Sequence, residues 1–312
     1  MIGKSYSRKE RSDSMKLSVI VPCYNEGLNI NIFYEDMVKN LKENKLSYEL
    51  IFVNDGSTDD TLEKLKDLSV KDKNVKIINF SRNFGKEAAM QAGLEKSSGS
   101  YISIIDADMQ QKPSTLISMY NKLIENKDYD VVCAYRESRD DDNKIKAIIA
   151  PLFYKLINKV SNVNLVSGAS DFRVFKKEVK DAIISLKENN RFLKGIFSWV
   201  GFNTIYVPYT PDVRLYGTSK WSLLKLVNYG LNGIISFSSF PLYLIFYIAI
   251  FYVLLALLNT IFNFFGYRTM IFLLALILIS ISTVGLYISK IYNNALKRPN
   301  YIIKELIGFN NK

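Results

Sequence analysis

Residues 101–113 read Tyr-Ile-Ser-Ile-Ile-Asp-Ala-Asp-Met-Gln-Gln-Lys-Pro, an apolar run that stops at two acids spaced by one residue. A short Ile-rich run closed by polar residues has the pattern of a buried strand. In extended chain, residues i and i+2 face the same way. The carboxylates of Asp106 and Asp108 can therefore meet one hard divalent cation, Mg²⁺ or Mn²⁺, just past the strand end. A cation bridging two phosphate oxygens neutralises charge as a nucleotide diphosphate departs. Asp-x-Asp alone is common on solvated loops; the buried strand ahead of it gives it weight. Similar Val/Ile-rich runs occupy 17–21, 49–54, Val75–Phe80 and 130–134, with helix-period segments near 28–42, 59–68, 86–96 and 115–126. That alternation predicts an α/β domain, a mainly parallel sheet with helices on both faces and its ligand beyond the carboxyl ends of the strands.

Two further strand ends carry polar motifs. The first closes on Val21-Pro-Cys-Tyr-Asn-Glu26, where Pro22 fixes the turn and Glu26 can accept from ribose hydroxyls. The second closes on Asn54-Asp-Gly-Ser-Thr-Asp-Asp-Thr61. There Gly56 permits a tight turn and Ser57 or Thr58 can cap the following helix, while Asp55 can accept from a base N–H. Beyond 137 the pattern is less regular: a charged loop at 137–144, helical spacing over 145–160, and two more strands at 172–175 and 204–207.

Charge divides the chain in two. Up to Lys225 there are 35 Lys+Arg and 29 Asp+Glu; beyond it, six basic residues and one acid. Between Lys225 and Lys290 the only charge is Arg268. Segments 240–262 and 269–291 are each long enough to span a hydrocarbon layer of roughly 30 Å. The short connection 263–268 makes them a transmembrane hairpin. Ahead of it, 222–236 sets Leu223, Leu224, Val227, Leu231, Ile234 and Ile235 on one stripe, suited to an interfacial helix or to an ordinary packing helix. Basic residues flank the outer ends, Arg214, Lys220 and Lys225 before, Lys290, Lys297, Arg298 and Lys304 after. This bias puts the large domain (16–221), the polar tail 1–15 and the tail 292–312 on the cytoplasmic side of the plasma membrane.

Composition also excludes. Histidine is absent, which removes His bases, Ser-His-Asp triads and His-ligated metals. Chemistry must rest on carboxylates, Lys, Arg, Tyr or an oxygen-held metal. Two cysteines, Cys23 and Cys133, make no disulfide framework and read as buried thiols of a reducing compartment. The net charge of +11 is dispersed among acids. It suits an anionic membrane surface and a phosphate-bearing substrate at least as well as nucleic acid, and no nucleic-acid partner is expected.

The motifs VPCYNE, NDGSTDDT, RNFGKEAA, DADMQQKP and GTSKW, in this order and followed by two apolar spans, resemble a family 2 glycosyltransferase of the polyprenyl-phosphate type. That group includes bactoprenol glucosyltransferases and dolichyl-phosphate mannose synthases, and the resemblance covers 16 to about 305. It implies an A-type glycosyltransferase (Rossmann-like) domain followed by an interfacial helix and the membrane hairpin. It further implies that Pro22, Tyr24, Glu26 and Asp55 bind the nucleoside of a nucleotide sugar. Asp106 and Asp108 would hold Mg²⁺ or Mn²⁺ and the diphosphate, with Lys86 a phosphate contact. The family commonly has His or Asp, then Pro, where this chain has Gln111 and Lys112, so a role for Gln111 is in doubt. Asp171, in Ser170-Asp-Phe-Arg173, is the implied base. It can instead orient acceptor or sugar, since a phosphate monoester is already largely a dianion at neutral pH, or pair with Arg173. Arg191 resembles a phosphate contact or is an exposed helix residue. Arg214 and Lys220 would grip the lipid phosphate or attract headgroups.

The implied reaction is inverting transfer to undecaprenyl or another polyprenyl phosphate. UDP-glucose is the favoured donor; GDP-mannose and UDP-N-acetylhexosamine stay open. A processive synthase is disfavoured because no Gln-x-x-Arg-Trp segment occurs and one hairpin makes no pore. A non-catalytic nucleotide-sensing membrane adaptor is the other alternative. Copies of the hairpin could pack into a homo-oligomer.

Overall fold

Leu17–Cys23 (β1) and Tyr48–Asn54 (β2) are buried along almost their whole length and pair in parallel, Leu17 opposite Tyr48 and Cys23 opposite Asn54. A strand covered on both faces needs a nearly continuous apolar run, and both sequences supply one. The computed structural model describes residues 16–136, 144–188, 191–212, 223–262 and 266–309. Val75–Phe80 (β3) extends the parallel sheet beside β2, and Tyr101–Ile104 (β4) beside β1 on its other flank. Val131–Arg136 (β5), Ala169–Lys176 (β6), Thr204–Tyr209 (β7) and Ile303–Ile307 (β8) complete one sheet of order β7-β5-β6-β4-β1-β2-β3-β8.

The sheet is more mixed than the sequence suggests. β6 runs antiparallel to both β4 and β5, and β8 runs antiparallel to β3. The expected tail after the second apolar segment therefore contributes an edge strand. Ser81 N–H donates to Ile302 O at 3.0 Å. Tyr301 stacks on Phe80 at 4.9 Å, and Lys66 pairs with Glu305 at 2.9 Å.

Helices cover both faces. Gly27–Glu43 (α1), Thr61–Lys71 (α2) and Pro113–Glu125 (α4) bury Phe33, Leu65 and Leu116 against one side. Lys86–Lys96 (α3), Lys177–Ser185 (α6) and Leu193–Trp199 (α7) bury Met90, Val179 and Ile196 against the other. Lys144–Val160 (α5) contributes Ile157 to a smaller cluster with Val163, Leu165 and Phe192. At the amino ends of β1 and β2, Glu49 is fully buried. It accepts from Ser18 Oγ at 2.5 Å, Ser98 N–H at 2.8 Å, and Lys76 and Lys16 Nζ at 2.6 and 3.3 Å. Burial alone would raise its pKa, but these donors overcome it and hold the carboxyl at about 2.

Leu223–Phe237 (α8), Phe240–Phe262 (α9) and Tyr267–Ala295 (α10) follow. By length and composition, one described helix, Leu273–Ala295, can cross a membrane alone; Gly230–Phe237 and Phe240–Ala256 qualify only jointly, across an 80° bend. Tyr252 Oη donates to Leu273 O at 2.9 Å, joining α9 to α10. Both helices expose large apolar side chains, Phe246 at 60% and Ile281 at 63%.

Candidate active site

Parallel pairing brings the carboxyl ends of β1, β2 and β4 level, and β1 and β4 meet where the strand order reverses. Reversal opens a crevice, the usual ligand position in open α/β sheets. Here a cavity of about 220 Å³ is lined by Pro22, Cys23, Tyr24, Glu26, Asp55, Asn83, Gly85, Lys86, Ala89, Asp106, Ala107 and Asp108. Every residue expected at the nucleotide or the metal is in this wall, although the residues come from four separate stretches of chain.

The local geometry corrects several expectations. Pro22 lies inside β1, not in a turn after it. β4 stops at Ile104, so Asp106 and Asp108 sit on a turn where Met109 takes φ +60°, and loop geometry, not strand alternation, brings them to one cavity. Ser57 and Thr58 do not cap α2. Instead Ser57 Oγ accepts from Asn25 N–H at 2.9 Å and Thr58 N–H donates to Asn25 Oδ1 at 2.8 Å, lacing the two strand-end loops together. Asp59 spans both: Oδ2 accepts from Gly27 N–H at 3.1 Å and Oδ1 from Thr61 N–H at 3.1 Å.

Asp55, 3% exposed, accepts from the backbone N–H groups of Phe84 and Gly85 at 2.6 and 2.9 Å. Burial raises its pKa against the opposing pull of these two bonds and of Arg82. The carboxylate thus fastens the 82–85 loop while Asp55 lines the cavity. Gly56 makes the same approach possible: it takes φ +64°, and a Cβ there would lie 2.3 Å from Arg82 C.

Lys86 begins α3 and ties the acids together. Its Nζ lies 2.6 Å from Asp106 and 3.3 Å from Asp171. Antiparallel β4–β6 pairing ends with Ile104 opposite Arg173, and just beyond it Asp106 and Asp171 reach the same lysine. Burial works against charge on Lys86, yet the two carboxylates raise its pKa well above the ordinary value. Burial would likewise raise Asp171, but Lys86, then Lys194 and Arg173, hold it at about 2. The close ion-pair partner of Asp171 is Lys86, not Arg173. Arg173 instead donates to Ser170 O at 3.0 Å and lies over the Phe197 ring at 4.2 Å.

Gln111 has a structural role that family comparison of the motif obscured. It is 6% exposed, accepts from Asp106 N–H at 3.0 Å and donates to Asp106 Oδ2 at 3.3 Å, fixing that carboxylate from behind. Gln110 N–H donates to Asp108 Oδ1 at 3.2 Å, and Gln110 O accepts from Asp212 N–H at 3.1 Å. Arg191 precedes α7 and lines a different cavity, beside α8 and the end of α10. Arg214 and Lys220 lie outside the described residues.

Among the described residues no group of three His, Cys, Asp or Glu side chains is arranged to hold a metal. Two carboxylates in a cavity with room for phosphate still fit Mg²⁺ or Mn²⁺, since Mg²⁺ commonly takes one or two protein carboxylates and completes its shell with phosphate and water.

The family description "Glycosyl transferase family 2" matches residues 18–183. CsbB of Bacillus subtilis (strain 168) is 42% identical, covering 93% of this chain and 91% of its own. The bactoprenol glucosyl transferase of Shigella phage SfX is 39% identical over 93% of this chain and 99% of its own. Among solved structures, mannosyl-3-phosphoglycerate synthase from Rubrobacter xylanophilus covers 72% of this chain and 73% of its own at 14% identity and TM-score 0.49.

Proposed function

Because this chain belongs to glycosyltransferase family 2, we propose that it moves glucose from UDP-glucose to a polyprenyl phosphate, with inversion, at the cytoplasmic face of the plasma membrane. It is a glycosyltransferase, and its α/β domain is the Rossmann-like A-type fold of that family. The observation that carries the proposal is the gathering of Pro22, Tyr24, Glu26, Asp55, Lys86, Asp106 and Asp108 around one cavity at the strand-order reversal. The bactoprenol glucosyl transferase relative, matched over almost its whole length, supports the choice of acceptor and sugar.

In this reading Tyr24, Glu26 and Asp55 hold the nucleoside. Lys86, at the amino end of α3, faces the diphosphate with the positive end of the helix dipole behind it. Asp106 and Asp108 would hold a divalent cation, which would supply charge neutralisation to the leaving diphosphate. The acceptor phosphate oxygen forms the new bond to the anomeric carbon as the bond to the diphosphate oxygen breaks. Asp171 stays anionic and acts by position, fixing Lys86 and orienting the incoming groups. A dianionic acceptor needs no proton removed. Arg214 and Lys220 are proposed to draw the lipid phosphate toward this site.

The membrane arrangement is part of the proposal. The chain leaves the sheet domain at α8 and rejoins the same sheet through β8. Both ends of the apolar segment thus lie on one side of any membrane it enters, so the number of crossings is even. A hairpin of α9 and α10, with α8 along the interface, satisfies this and buries their exposed apolar surface in lipid.

The test uses the purified full chain in nanodiscs with undecaprenyl phosphate, Mg²⁺ or Mn²⁺, and radiolabelled UDP-glucose, GDP-mannose and UDP-N-acetylhexosamines. Labelled glucosyl lipid is expected from UDP-glucose. Product from another donor would replace the sugar assignment, and no lipid product from any donor would overturn the acceptor.

A further inference from the structure

A second cavity, of about 640 Å³, opens where α3, the start of α7, α8 and the end of α10 converge. Asn83 and Gly85 line both cavities, so the 82–85 loop is the wall between them. Three cations line the second cavity, Arg82, Arg191 and Arg298, against one carboxylate, Glu87, which already accepts from Leu193 N–H at 3.1 Å.

Arg191 is the most telling of the three. Its Nη2 donates to Leu186 O, while Nε and Nη1 are buried with no hydrogen-bond partner. A guanidinium stays charged and presents a planar fork of donors that matches phosphate, and buried donors left unmet are costly. Glu95, Glu188 and Glu87 stand near enough to act on the charge of Arg191, but none accepts from Nε or Nη1, and Asn232 and Ser236 on α8 and Asn293 on α10 are neutral. Lys290 on α10 donates to Asn232 O at 2.9 Å and Ser236 Oγ at 2.7 Å, so the two helices close this side of the cavity together.

We infer that this junction cavity binds the phosphate-bearing headgroup of a membrane lipid, gripped by Arg191 and Arg298 with Arg82, at a place separate from the nucleotide cavity. The chemistry is that of a phosphate on a lipid anchor: Arg82 and Arg191 are on the domain side, Arg298 follows the end of α10, and the opposing wall is made by the two helices proposed to meet the bilayer. The inference rests on that membrane placement but not on the transfer reaction.

The test reads binding without turnover. Full chain is reconstituted in phosphatidylcholine nanodiscs with a small fraction of phosphatidylglycerol in one arm and of polyprenyl phosphate in another, and retained lipid is measured by native mass spectrometry after release. Inorganic phosphate in solution forms a third arm. Arg191→Gln with Arg298→Gln should lower retention of one of the two lipids about tenfold, the cost of losing charge-assisted bonds to phosphate. Which lipid responds identifies the occupant. Thermal unfolding shows whether the double variant is folded; if it is not, Arg298→Gln alone, at an exposed position, carries the comparison. Unchanged retention of both lipids in the folded variant, or binding of inorganic phosphate with no retained lipid in the wild type, overturns the inference. Sugar transfer measured in the same preparations separates this result from that of the proposed reaction.

Discussion

Lys86 stands between two carboxylates, Asp106 and Asp171, and its charge holds Asp171 in the anionic form. Against the effect of burial, Lys86 holds Asp171 well below the ordinary carboxylate range, so it is ionised at neutral pH. An acid limb in kcat near pH 6 should therefore belong to the second ionisation of the acceptor phosphate. Asp171→Asn is expected to lower kcat about 10²-fold through lost positioning and to leave that limb where it is. A limb that disappears in the variant would make Asp171 the titrating base. Asp108→Asn should lower metal-dependent transfer by about 10²- to 10³-fold. Asn can still accept the Gln110 N–H, so the melting temperature should hardly move; retained full activity would remove Asp108 from the metal site. Residue types and spacing in the sequence were enough to nominate Asp106 and Asp108, whereas Asp171 was nominated by the family resemblance alone. The pairing of Asp171 with Lys86 was not legible, because 85 residues separate them in the chain and only the packing of α3 against the sheet brings them together.

At the scale of elements, loops do most of the positioning. The 82–85 loop hangs from Asp55 through two backbone N–H groups and passes over Gly56 at a distance that leaves no space for a side chain. Gly56→Ala combines a left-handed backbone with a backbone clash and should cost about 1–3 kcal/mol in stability. Because the displaced loop borders the nucleotide cavity, UDP affinity measured by calorimetry should fall as well; a stable variant with unchanged affinity would separate the loop from the site. Ser57 and Thr58 show why capping was misread from sequence. Their hydroxyl and backbone groups satisfy a loop 32 or 33 residues away, a partner that no local pattern announces. Gln111 was misjudged for a related reason: its value lies in its reach back to Asp106, not in matching a motif letter.

For the whole molecule, the buried charge cluster at Glu49 and the returning strand β8 carry the consequences. A carboxyl lowered from 4.5 to about 2 on folding stabilises the protein above its unfolded pKa, and this contribution is lost as pH falls through 4.5 toward 2. The full effect is about 3 kcal/mol. Glu49→Gln should remove it and flatten the acid dependence of denaturant unfolding as pH falls from 4.5 toward 2, leaving Lys16 and Lys76 without their shared counter-charge. An unaltered acid profile would assign that dependence to other groups. For the membrane arrangement, both native cysteines are buried, so a single introduced cysteine can report topology. One placed in 263–268 should be labelled by an impermeant maleimide from outside intact cells, and one at Lys304 only after permeabilisation. Labelling of both from the same side would refute the hairpin.

The sequence by itself determined the α/β class, the strand-end acids and the apolar segment, since each follows from local periodicity, composition or a short motif whose physics acts within a few residues. Tertiary structure alone decided that β6 and β8 run against the sheet, that Asp55 serves the 82–85 loop, that Lys86 links Asp106 to Asp171, and that three arginines from distant segments share one cavity. Those relations depend on register and on the close approach of segments far apart in the chain. Ion pairs and backbone hydrogen bonds form wherever folding brings partners within about 3 Å, and linear spacing carries no record of that distance.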